Sequence, residues 1–253
     1  MSQGWFTIFL VKPLYNGLIY LVNILPGADV GIAVVLITIL VKIILHPLSK
    51  KAIETQIKMK HLEGDMNLLK DKHKNNKEEQ ARAMMDLYKE KKVNPFSSIF
   101  LLIVQLPIIF ALYRIFIQNH LPEVDATLLY SFVHAPTVVN TMFLGLIDIS
   151  QKSMFFAVLA GISQYFQAKF SLASVPDQGK PVAKDGKQSF QADFAKSMTM
   201  QMKYVLPVIT LVISYQISAV VALYWFVSNL WAIGQELLVR RRLIAEHALP
   251  PKL

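Results

Sequence analysis

The 253-residue sequence contains no cysteine, and only 17% of its residues are charged. The missing cysteines exclude disulfide bonds and thiolate metal sites. Acidic residues are also scarce, because 17 Asp and Glu stand against 26 Lys and Arg, which gives a formal net charge of +9. In a soluble protein this excess would first indicate nucleic-acid binding. However, 54% of the residues are hydrophobic and the mean hydropathy is +0.41, which excludes an ordinary soluble domain.

The sequence also lacks the patterns that carry most enzyme chemistry. It has no metal-ligand spacing, no nucleophile motif and no phosphate-binding glycine loop, and its six histidines are scattered. We therefore predict no catalytic residues, no metal site and no cofactor. The protein is expected not to be an enzyme.

Five segments are apolar enough to cross a bilayer, which takes about 20 mostly apolar residues at a rise of about 1.5 Å each. They are residues 30–46, 95–117, 155–173, 204–217 and 219–239. The fourth is short, and only a tight turn near Ser218 can separate it from the fifth. The sequence thus predicts an all-α membrane protein with five transmembrane helices.

The stretch at residues 5–24 is also apolar, but polar residues and a proline interrupt it. These are Lys12, Pro13, Asn16 and Asn23. We predict an N-terminal helix that lies in the membrane interface, with its aromatic residues at headgroup level.

Lys and Arg are concentrated in three segments. Residues 47–94 hold 12 of them, residues 169–203 hold 6 and the tail after Val239 holds 4, whereas residues 118–151 hold none. Because positive charge resists translocation, the three basic segments are predicted to be cytoplasmic and residues 118–151 to lie outside. An odd number of spans then places the N-terminus outside.

These assignments divide the chain into segments in sequence order. They are an outer interfacial helix at 1–27, the first span at 28–48, a cytoplasmic helical hairpin at 49–94, the second span at 95–117, an outer loop at 118–151, the third span at 152–173, a cytoplasmic loop at 174–202, the fourth and fifth spans at 203–239 and a basic tail at 240–253. The loop at 174–202 has no periodicity and is predicted to be mobile.

Residues 49–94 are too long and too regular for a simple loop. Apolar residues recur at near-helical spacing over 50–72 and 78–91, with a polar break at 73–77. The two arms can therefore pack as an antiparallel hairpin. It is either a self-packed spacer or a surface that receives nascent chains.

Lys42 lies inside the first predicted span, between two apolar runs. An ionised side chain there is costly unless it faces a protein interior or a water-filled cavity. The alternative is that its long stem reaches the cytoplasmic interface near Pro47, about 7 Å along the helix axis. Arg114, near the outer end of the second span, is predicted to be interfacial.

Uncharged polar residues on other spans could line one wet face together with Lys42. They are Thr38, Gln105, Gln164, Gln167, Ser228 and Asn229. The alternative for each is an ordinary hydrogen bond between helices. This face offers no acidic partner for Lys42, which indicates a cavity that receives an anionic guest.

Four motifs resemble the YidC family of membrane protein insertases. Residues 87–95 read LYKEKKVNP and residues 105–113 read QLPIIFALY, similar to the family's second span. The sequence LYWFVSNL at 223–230 resembles the last span, and PLS at 47–49 follows the first. The resemblance covers essentially the whole chain, with motifs in the same order, and the chain resembles either the minimal five-span form or a trimmed core of a longer member.

The resemblance implies five core helices around a hydrophilic groove that opens to the cytoplasm and to lipid and is closed toward the outside. A positive residue on the family's first span, normally arginine, stands at a fixed spacing before a Pro-Leu pair. Lys42 occupies that spacing before Pro47. The same matching assigns Gln105 to the polar position of the second span and Trp225 to an aromatic position near the substrate path.

The sequence departs from the family at two places. Lysine instead of arginine keeps the charge of residue 42 but loses the fork of donors, and a lysine can be deprotonated when desolvated. The family's Pro and Gly between the last two helices are replaced by Ser218 and Ala219. Gln164 and Gln167 match no family position, so their assignment rests on their chemistry alone.

The resemblance implies an insertase and chaperone that inserts, folds and assembles membrane proteins in the bacterial plasma membrane, with the C-terminus in the cytoplasm. The expected partners are nascent membrane proteins, the lipid bilayer, the ribosome and the Sec translocon, but not DNA. The alternative is a small-solute transporter or channel subunit that binds an anion at Lys42. Carriers often contain internal repeats, and this sequence contains none.

Basic residues of the cytoplasmic segments are candidates to recruit nascent chains or ribosomal RNA through salt-dependent attraction. They are Lys50, Lys51, Arg82, Arg240, Arg241 and Arg242. For the tail, the alternative is an anchor that stops translocation.

Overall fold

The computed structural model describes residues 4–74, 76–94, 97–118, 123–172 and 200–248, which are mostly helical. The α-helices of these residues are α1 (Lys12–Ile24), α2 (Val30–His61), α3 (Glu63–Lys72), α4 (Lys77–Glu90), α5 (Ser97–Tyr113), α6 (Met154–Leu172), α7 (Leu206–Gln216) and α8 (Ala219–Ala248). Single π-helical turns occupy Thr7–Val11, Arg114–Gln118 and Gln201–Val205. The predicted mobile loop lies, apart from residues 200–202, outside the described residues.

The helices form two compact units. The first comprises Met1–His46, Leu102–Tyr165 and Leu206–Ala232. The second comprises Pro47–Leu101, Phe166–Val205 and Ile233–Leu253. The long helices α2, α5, α6 and α8 therefore contribute residues to both units.

Helix α7 in the first unit buries polar side chains and exposes apolar ones, which is the reverse of a helix in a soluble protein. It buries Thr210 and Ser214, at 5% and 0% exposure, whereas Val208 on the same helix is 62% exposed. Helix α5 likewise exposes a continuous apolar stripe. The stripe consists of Ile103, Leu106, Phe110 and Tyr113, spaced three or four residues apart. Such surfaces are typical of helices that are surrounded by lipid, because exposing this much apolar surface to water is unfavourable.

Small residues allow α6 and α7 to approach closely. A Cβ atom built on Gly161 would lie 3.0 Å from Cβ of Leu211 and 3.3 Å from the carbonyl oxygen of Pro207. Ala157 and Ala160 on the neighbouring turns of α6 are fully buried. Packing through small side chains is the usual way in which helices associate within a bilayer.

Among the described residues, the helical stretches Thr7–Ile24 and Val30–His61 are long and apolar enough to cross a membrane, and Ile103–Phe116 is a shorter apolar helix. Helix α2 has 32 residues and is therefore about 48 Å long, whereas the hydrocarbon core is about 30 Å thick. Its C-terminal part, which is rich in Lys, must extend beyond the core.

The first span and the first arm of the predicted hairpin are one helix. The sequence separated them near Pro47, but α2 continues through Pro47 to His61, and the chain breaks at Leu62 instead. A proline inside a helix removes one hydrogen bond without necessarily ending the helix. The apolar spacing of residues 50–61 simply extends the helical pattern of the span.

The polar residues that interrupt the N-terminal apolar stretch attach α1 to the segment at residues 123–140. Asn16 is 3% exposed, donates to the carbonyl oxygen of Leu128 at 2.8 Å and accepts from the N–H of Tyr130 at 2.7 Å. The Tyr15 hydroxyl accepts from the N–H of Asp125 at 2.8 Å. Irregular backbone of this kind cannot lie in hydrocarbon unless protein covers it. These bonds favour the interfacial placement of α1, which stays a prediction.

Residues 140–151 supply partners for the free N–H groups at two helix starts. At the start of α2, the N–H of Val30 donates to the carbonyl oxygen of Asn140 at 2.9 Å. The buried Asp29 carboxylate accepts from the N–H of Ile32 at 3.0 Å and also from the N–H of Leu144 at 2.8 Å. At the start of α8, the N–H of Ala219 donates to the carbonyl oxygen of Gln151 at 2.8 Å. Helix starts otherwise leave such donors unsatisfied, so this segment fixes the N-terminal ends of α2 and α8.

A short antiparallel ribbon lies in the same segment. Strand β1 (Met142–Phe143) pairs with β2 (Ile147–Asp148). The Phe143 ring lies 5.9 Å from the Phe156 ring of α6 and directly over Gly31 of α2, where a Cβ atom would come within 2.3 Å of it. The ribbon is therefore seated on the first turns of both helices.

In the second unit, α3 and α4 contact each other in antiparallel order. Gln80 Nε2 donates to the carbonyl oxygen of Lys70 at 2.9 Å, and further from the break the Tyr88 hydroxyl contacts Met66 Sδ at 3.8 Å. Asn76 caps α4 by accepting from the N–H of Glu79 at 3.2 Å.

Candidate functional site

A chain of polar side chains joins α2, α5 and α8 inside the first unit. The Lys42 Nζ donates to Gln105 Oε1 at 3.1 Å, and Gln105 Nε2 donates to the hydroxyl of Tyr224. Lys42 and Gln105 are partly buried, and Tyr224 is 2% exposed. Three helices with apolar outer faces thus meet at one line of hydrogen bonds.

Lys42 determines the orientation of the Gln105 amide. An ammonium has only donors, so the amide oxygen must face Lys42, and the amide NH₂ is then directed at Tyr224. Each member therefore positions the next. Hydrogen bonds that include a charged group are the strong ones, and they are stronger still where water is scarce.

Lys42 lies 12 residues after the start of α2, which is about 18 Å along the helix axis. Counted from the start of α2, this distance is just over half of a hydrocarbon core that is about 30 Å thick. Within the described part of the chain, no carboxylate forms an ion pair with Lys42, whose partner is a neutral amide.

Thr38 lies one turn before Lys42 and is 2% exposed. Its hydroxyl donates to the carbonyl oxygen of Val34 at 2.6 Å, within its own helix. This bond satisfies the hydroxyl proton, so Thr38 adds little polarity to the line of bonds from Lys42 to Tyr224.

A second polar contact joins α8 to α6. Asn229 Nδ2 donates to Ser163 Oγ at 3.1 Å, and Ser163 Oγ donates to the carbonyl oxygen of Ala160 at 2.9 Å. Both side chains are buried, and Ser228 beside them is 5% exposed. This pair corresponds to the alternative noted for Asn229, namely an ordinary bond between helices.

The other predicted groove residues are Trp225, Gln164 and Gln167. Trp225 packs partly buried against the apolar core, and its neighbour Tyr224 holds the bond to Gln105. Gln164 is partly buried in the first unit, and Gln167 is partly buried in the second.

Tyr224 was not among the residues predicted from the sequence, although a signal for it was present. Tyr224 and Ser228 are one turn apart, and Gln235 follows two turns later on the same side of α8. All three are buried at 6% exposure or less. A polar stripe at helical spacing could have identified the tyrosine, which we would otherwise expect at a membrane interface.

Glu236, an acidic residue within the last predicted span, was not predicted as a functional residue either. It is 4% exposed and accepts from Arg240 Nε at 3.0 Å, while Arg240 Nη2 donates to the carbonyl oxygen of Phe170 at 2.7 Å. Arg240 therefore neutralises a buried carboxylate and caps the last turn of α6. The spacing of Glu236 and Arg240 by four residues was the available signal.

The other predicted recruitment residues lie in the second unit. Lys50 pairs with Glu54 at 3.6 Å and Arg82 pairs with Glu78 at 2.8 Å, both on partly or fully exposed helix surface. Lys51, Arg241 and Arg242 are exposed. Because Arg240 already has internal partners, Arg241 and Arg242 are the tail residues presented to solvent.

Comparison with known proteins covers nearly the whole chain. The family model described as "60Kd inner membrane protein" matches residues 21–246. The chain is similar to the protein named membrane protein insertase YidC of Geobacter sulfurreducens, with 28% identity over 252 residues, which are 98% of this chain and 40% of that protein.

Two further relatives carry the same name. The protein of Citrifermentans bemidjiense is 29% identical over 95% of this chain and 38% of its own length. That of Francisella tularensis subsp. novicida is 28% identical over 86% of this chain and 33% of its own length. The chain thus spans 40% or less of the length of these relatives.

Proposed function

The chain belongs to the YidC family of membrane protein insertases and is a bacterial inner-membrane protein, and from this premise we propose that it inserts and assembles other membrane proteins. The observation that carries the proposal is the hydrogen-bonded line from Lys42 through Gln105 to Tyr224. A positive charge that has no acidic partner among the described residues, at hydrocarbon depth, suits transient attraction of a polar or acidic substrate terminus.

The chemistry of the site supports an exchange of partners. In the resting protein the Lys42 ammonium holds a neutral amide oxygen. An acidic side chain of a substrate replaces that bond with a bond between two charged groups, which is the stronger kind. The released Gln105 amide can then bind a backbone group of the substrate, so polar groups of the terminus are not left unsatisfied at this depth.

Release follows from the apolar surfaces of the same helices. A substrate's apolar segment gains about 25 cal/mol for each Å² that leaves water for lipid, whereas the bond to Lys42 is local and reversible. The exposed stripes on α5 and α7 offer an apolar route along which such a segment can move. The mechanism requires no nucleotide.

The proposal includes a topology of five spans, α2, α5, α6, α7 and α8, with α1 in the outer interface. Exposed apolar side chains on these helices support it, since each of them offers a surface suited to lipid. The basic segments then lie in the cytoplasm and residues 123–151 outside. Helices α3 and α4 form a cytoplasmic hairpin in this arrangement.

The proposed partners follow from that orientation. Nascent membrane proteins reach the groove, and exposed cations such as Lys51, Arg241 and Arg242 attract the ribosome. Cooperation with the Sec translocon belongs to the same proposal. Salt dependence of ribosome binding that disappears when these three residues are neutralised would support the electrostatic part.

The decisive experiment reconstitutes the purified chain in proteoliposomes and measures insertion of a single-span substrate with an acidic N-terminus, scored by protection from added protease. A photo-reactive residue at position 105 or 225 is expected to crosslink to the arrested substrate. The same residue at Phe110, which is 60% exposed on the apolar face of α5, controls for contact through lipid.

Insertion no better than in protein-free vesicles would contradict the proposal. Equal crosslinking from positions 105 and 110 would contradict the part of the proposal in which the substrate contacts the groove. Uptake of a small anionic solute by the same proteoliposomes, without substrate insertion, would favour the transporter instead.

A further inference from the structure

We propose that the turn at residues 144–146, between β1 and β2, is seated in the outer leaflet of the bilayer and anchors residues 123–151 to lipid. The side chains of Leu144 and Leu146 enter the lipid at the boundary between the headgroups and the acyl chains. The proposal adds a lipid-binding element to the chain, and it rests on the proposed outward orientation of residues 123–151.

The turn is held at the level of two helix ends. The N–H of Leu144 donates to the Asp29 carboxylate at 2.8 Å, and Asp29 directly precedes α2. The Phe143 ring lies over Gly31 in the first turn of α2 and 5.9 Å from the ring of Phe156 in the first turns of α6. Because the apolar residues of both helices begin in these first turns, the turn between β1 and β2 cannot be far from the hydrocarbon boundary.

The two leucines point away from the protein. Leu144 is 59% exposed and Leu146 is 78% exposed, whereas Phe143 between them and the helices is partly buried. Burying a leucine side chain is worth about 1.5 to 3 kcal/mol relative to leaving it in water. Two rigidly presented leucines therefore carry enough driving force to hold a turn at a lipid surface.

The backbone of the turn is strained at the same place. Leu144 has φ 53°, a conformation that glycine or asparagine adopts far more readily, and Gly145 follows at φ 70°. A turn in water would be expected to carry Gly, Asn or Asp at the first of these positions. Leucine there combines an unfavourable backbone with an exposed apolar side chain, and contact with lipid compensates for both.

The electrostatics of the turn suit an uncharged insertion. Residues 118–151 contain no Lys or Arg. The two nearby carboxylates are held by hydrogen bonds, Asp29 by the N–H groups of Ile32 and Leu144 and Asp148 by the N–H and hydroxyl of Ser150. No strongly hydrated group of the turn itself has to enter the headgroup layer.

The apolar surface continues from the turn onto a span. Met154 and Phe155, next to the Phe156 that packs on the turn, are 52% and 58% exposed at the start of α6. The leucines thus extend a surface that the proposed topology already gives to lipid. This continuity favours lipid over a water-soluble partner as the occupant.

The absence of native cysteine allows a direct test with single-cysteine variants of the full chain in proteoliposomes. Spin labels at Leu146→Cys, Phe155→Cys and Glu123→Cys report collision with oxygen, which concentrates in lipid, and with a nickel complex, which stays in water. We expect the ratio of oxygen to nickel accessibility at 146 to resemble that at 155 and to exceed that at 123. Glu123 is the matched exposed position of the same segment.

Each other outcome decides against the anchor. A ratio at 146 like that at 123 would place the turn in water, and a label at 146 shielded from both reagents would mean that protein covers it. If the label at 155 also had a ratio like that at 123, the assignment of α6 as a membrane span, on which the proposal rests, would be wrong as well. The label at 155 therefore separates failure of the topology from failure of the anchor.

A second variant tests anchoring without a label. Leu144→Asn with Leu146→Asn keeps residues that suit the turn backbone but removes the apolar side chains. In proteoliposomes, hydrogen exchange of residues 142–148 is expected to rise, while exchange in α3 and α4 stays the same. Unchanged exchange at 142–148 would overturn the anchoring role.

Discussion

The Lys42 ammonium and the Gln105 amide oxygen are 3.1 Å apart, on two helices whose outward faces are apolar. The first prediction concerns this charge. We expect Lys42→Arg to retain insertion and Lys42→Glu to lose at least about tenfold for an acidic substrate. At about 4 Å and an effective dielectric of about 20, replacing attraction by repulsion changes the interaction by several kcal/mol.

The measurement is the protease-protection assay, with Lys42→Gln as the neutral control. Lys42→Gln is expected to fall between the arginine and glutamate variants. If Lys42→Glu inserted the acidic substrate as well as the unmodified chain, the electrostatic part of the mechanism would be wrong.

The second prediction concerns Tyr224, which holds the far end of the same line. Tyr224→Phe removes the hydroxyl that accepts from Gln105, and we expect a loss of about 1 kcal/mol in stability because the amide NH₂ is left without that partner. Thermal unfolding in detergent measures the loss. Tyr215→Phe, on a tyrosine that is 44% exposed, is the matched control and should change little.

The two ends of this line differ in how far the sequence reveals them. Lys42 stands out because a charge within an apolar run is costly and rare. Tyr224 does not, since a tyrosine in such a run also suits the membrane interface or the core. The residue predicted from the sequence was Trp225, and one residue along a helix turns the side chain by about 100°, away from Gln105.

The segment at residues 123–151 was less accessible to sequence reasoning than the helices. Helical periodicity reports which residues share a face, but residues 123–151 are largely irregular and have no such period. The bond from Leu144 to Asp29 joins positions 115 residues apart, so no local pattern predicts it. Pro47 shows the opposite problem, because a local signal for a break was outweighed by the continuing helix.

The third prediction concerns Gly31, over which the Phe143 ring is packed. A Cβ atom at residue 31 would come within 2.3 to 2.9 Å of three carbon atoms of Phe143. We therefore expect Gly31→Ala to cost about 1 to 3 kcal/mol, as in other overpacked sites. Gly234→Ala is the control, because a Cβ there meets nothing within 4 Å, and thermal unfolding compares the two. Equal stability of both variants would contradict the described seating of Phe143.

The fourth prediction is a pH dependence of the ribbon. Burial alone would raise the pKa of the Asp148 carboxyl, but hydrogen bonds from the hydroxyl and N–H of Ser150 and the hydroxyl of Thr141 together lower it. A carboxyl whose pKa is lower in the folded state stabilises the fold above its unfolded pKa of about 3.9, and this contribution is lost as the pH falls through the folded value.

We therefore expect Asp148→Asn to be less stable than the unmodified chain at pH 6 and the difference to shrink below about pH 4. Thermal unfolding between pH 3 and pH 7 measures it. Asp71→Asn, at an exposed position of α3, controls for the loss of one surface charge. A difference between the Asp148 variant and the unmodified chain that stays constant over this range would contradict the assignment.

The fifth prediction concerns Lys92, which ends α4 in a left-handed conformation at φ 53°. The N–H of Lys92 donates to the carbonyl oxygen of Lys89 at 3.1 Å, and the N–H of Val93 donates to that of Tyr88 at 2.9 Å. This pair of bonds closes many helices, and glycine is the usual residue at the left-handed position. A lysine keeps the bonds but retains the steric cost of its Cβ atom.

Lys92→Gly is expected to stabilise the second unit by about 0.5 to 1 kcal/mol, because relief of the left-handed strain exceeds the entropy that glycine adds to the unfolded chain. Ala81→Gly, at an exposed position in the interior of α4, is the matched control and should instead cost about 1 kcal/mol. Hydrogen exchange of the α4 amides measures both changes. If both glycine variants were destabilising by the same amount, the backbone of Lys92 could not be left-handed. Only a positive φ at Lys92 gives the two stability changes opposite signs.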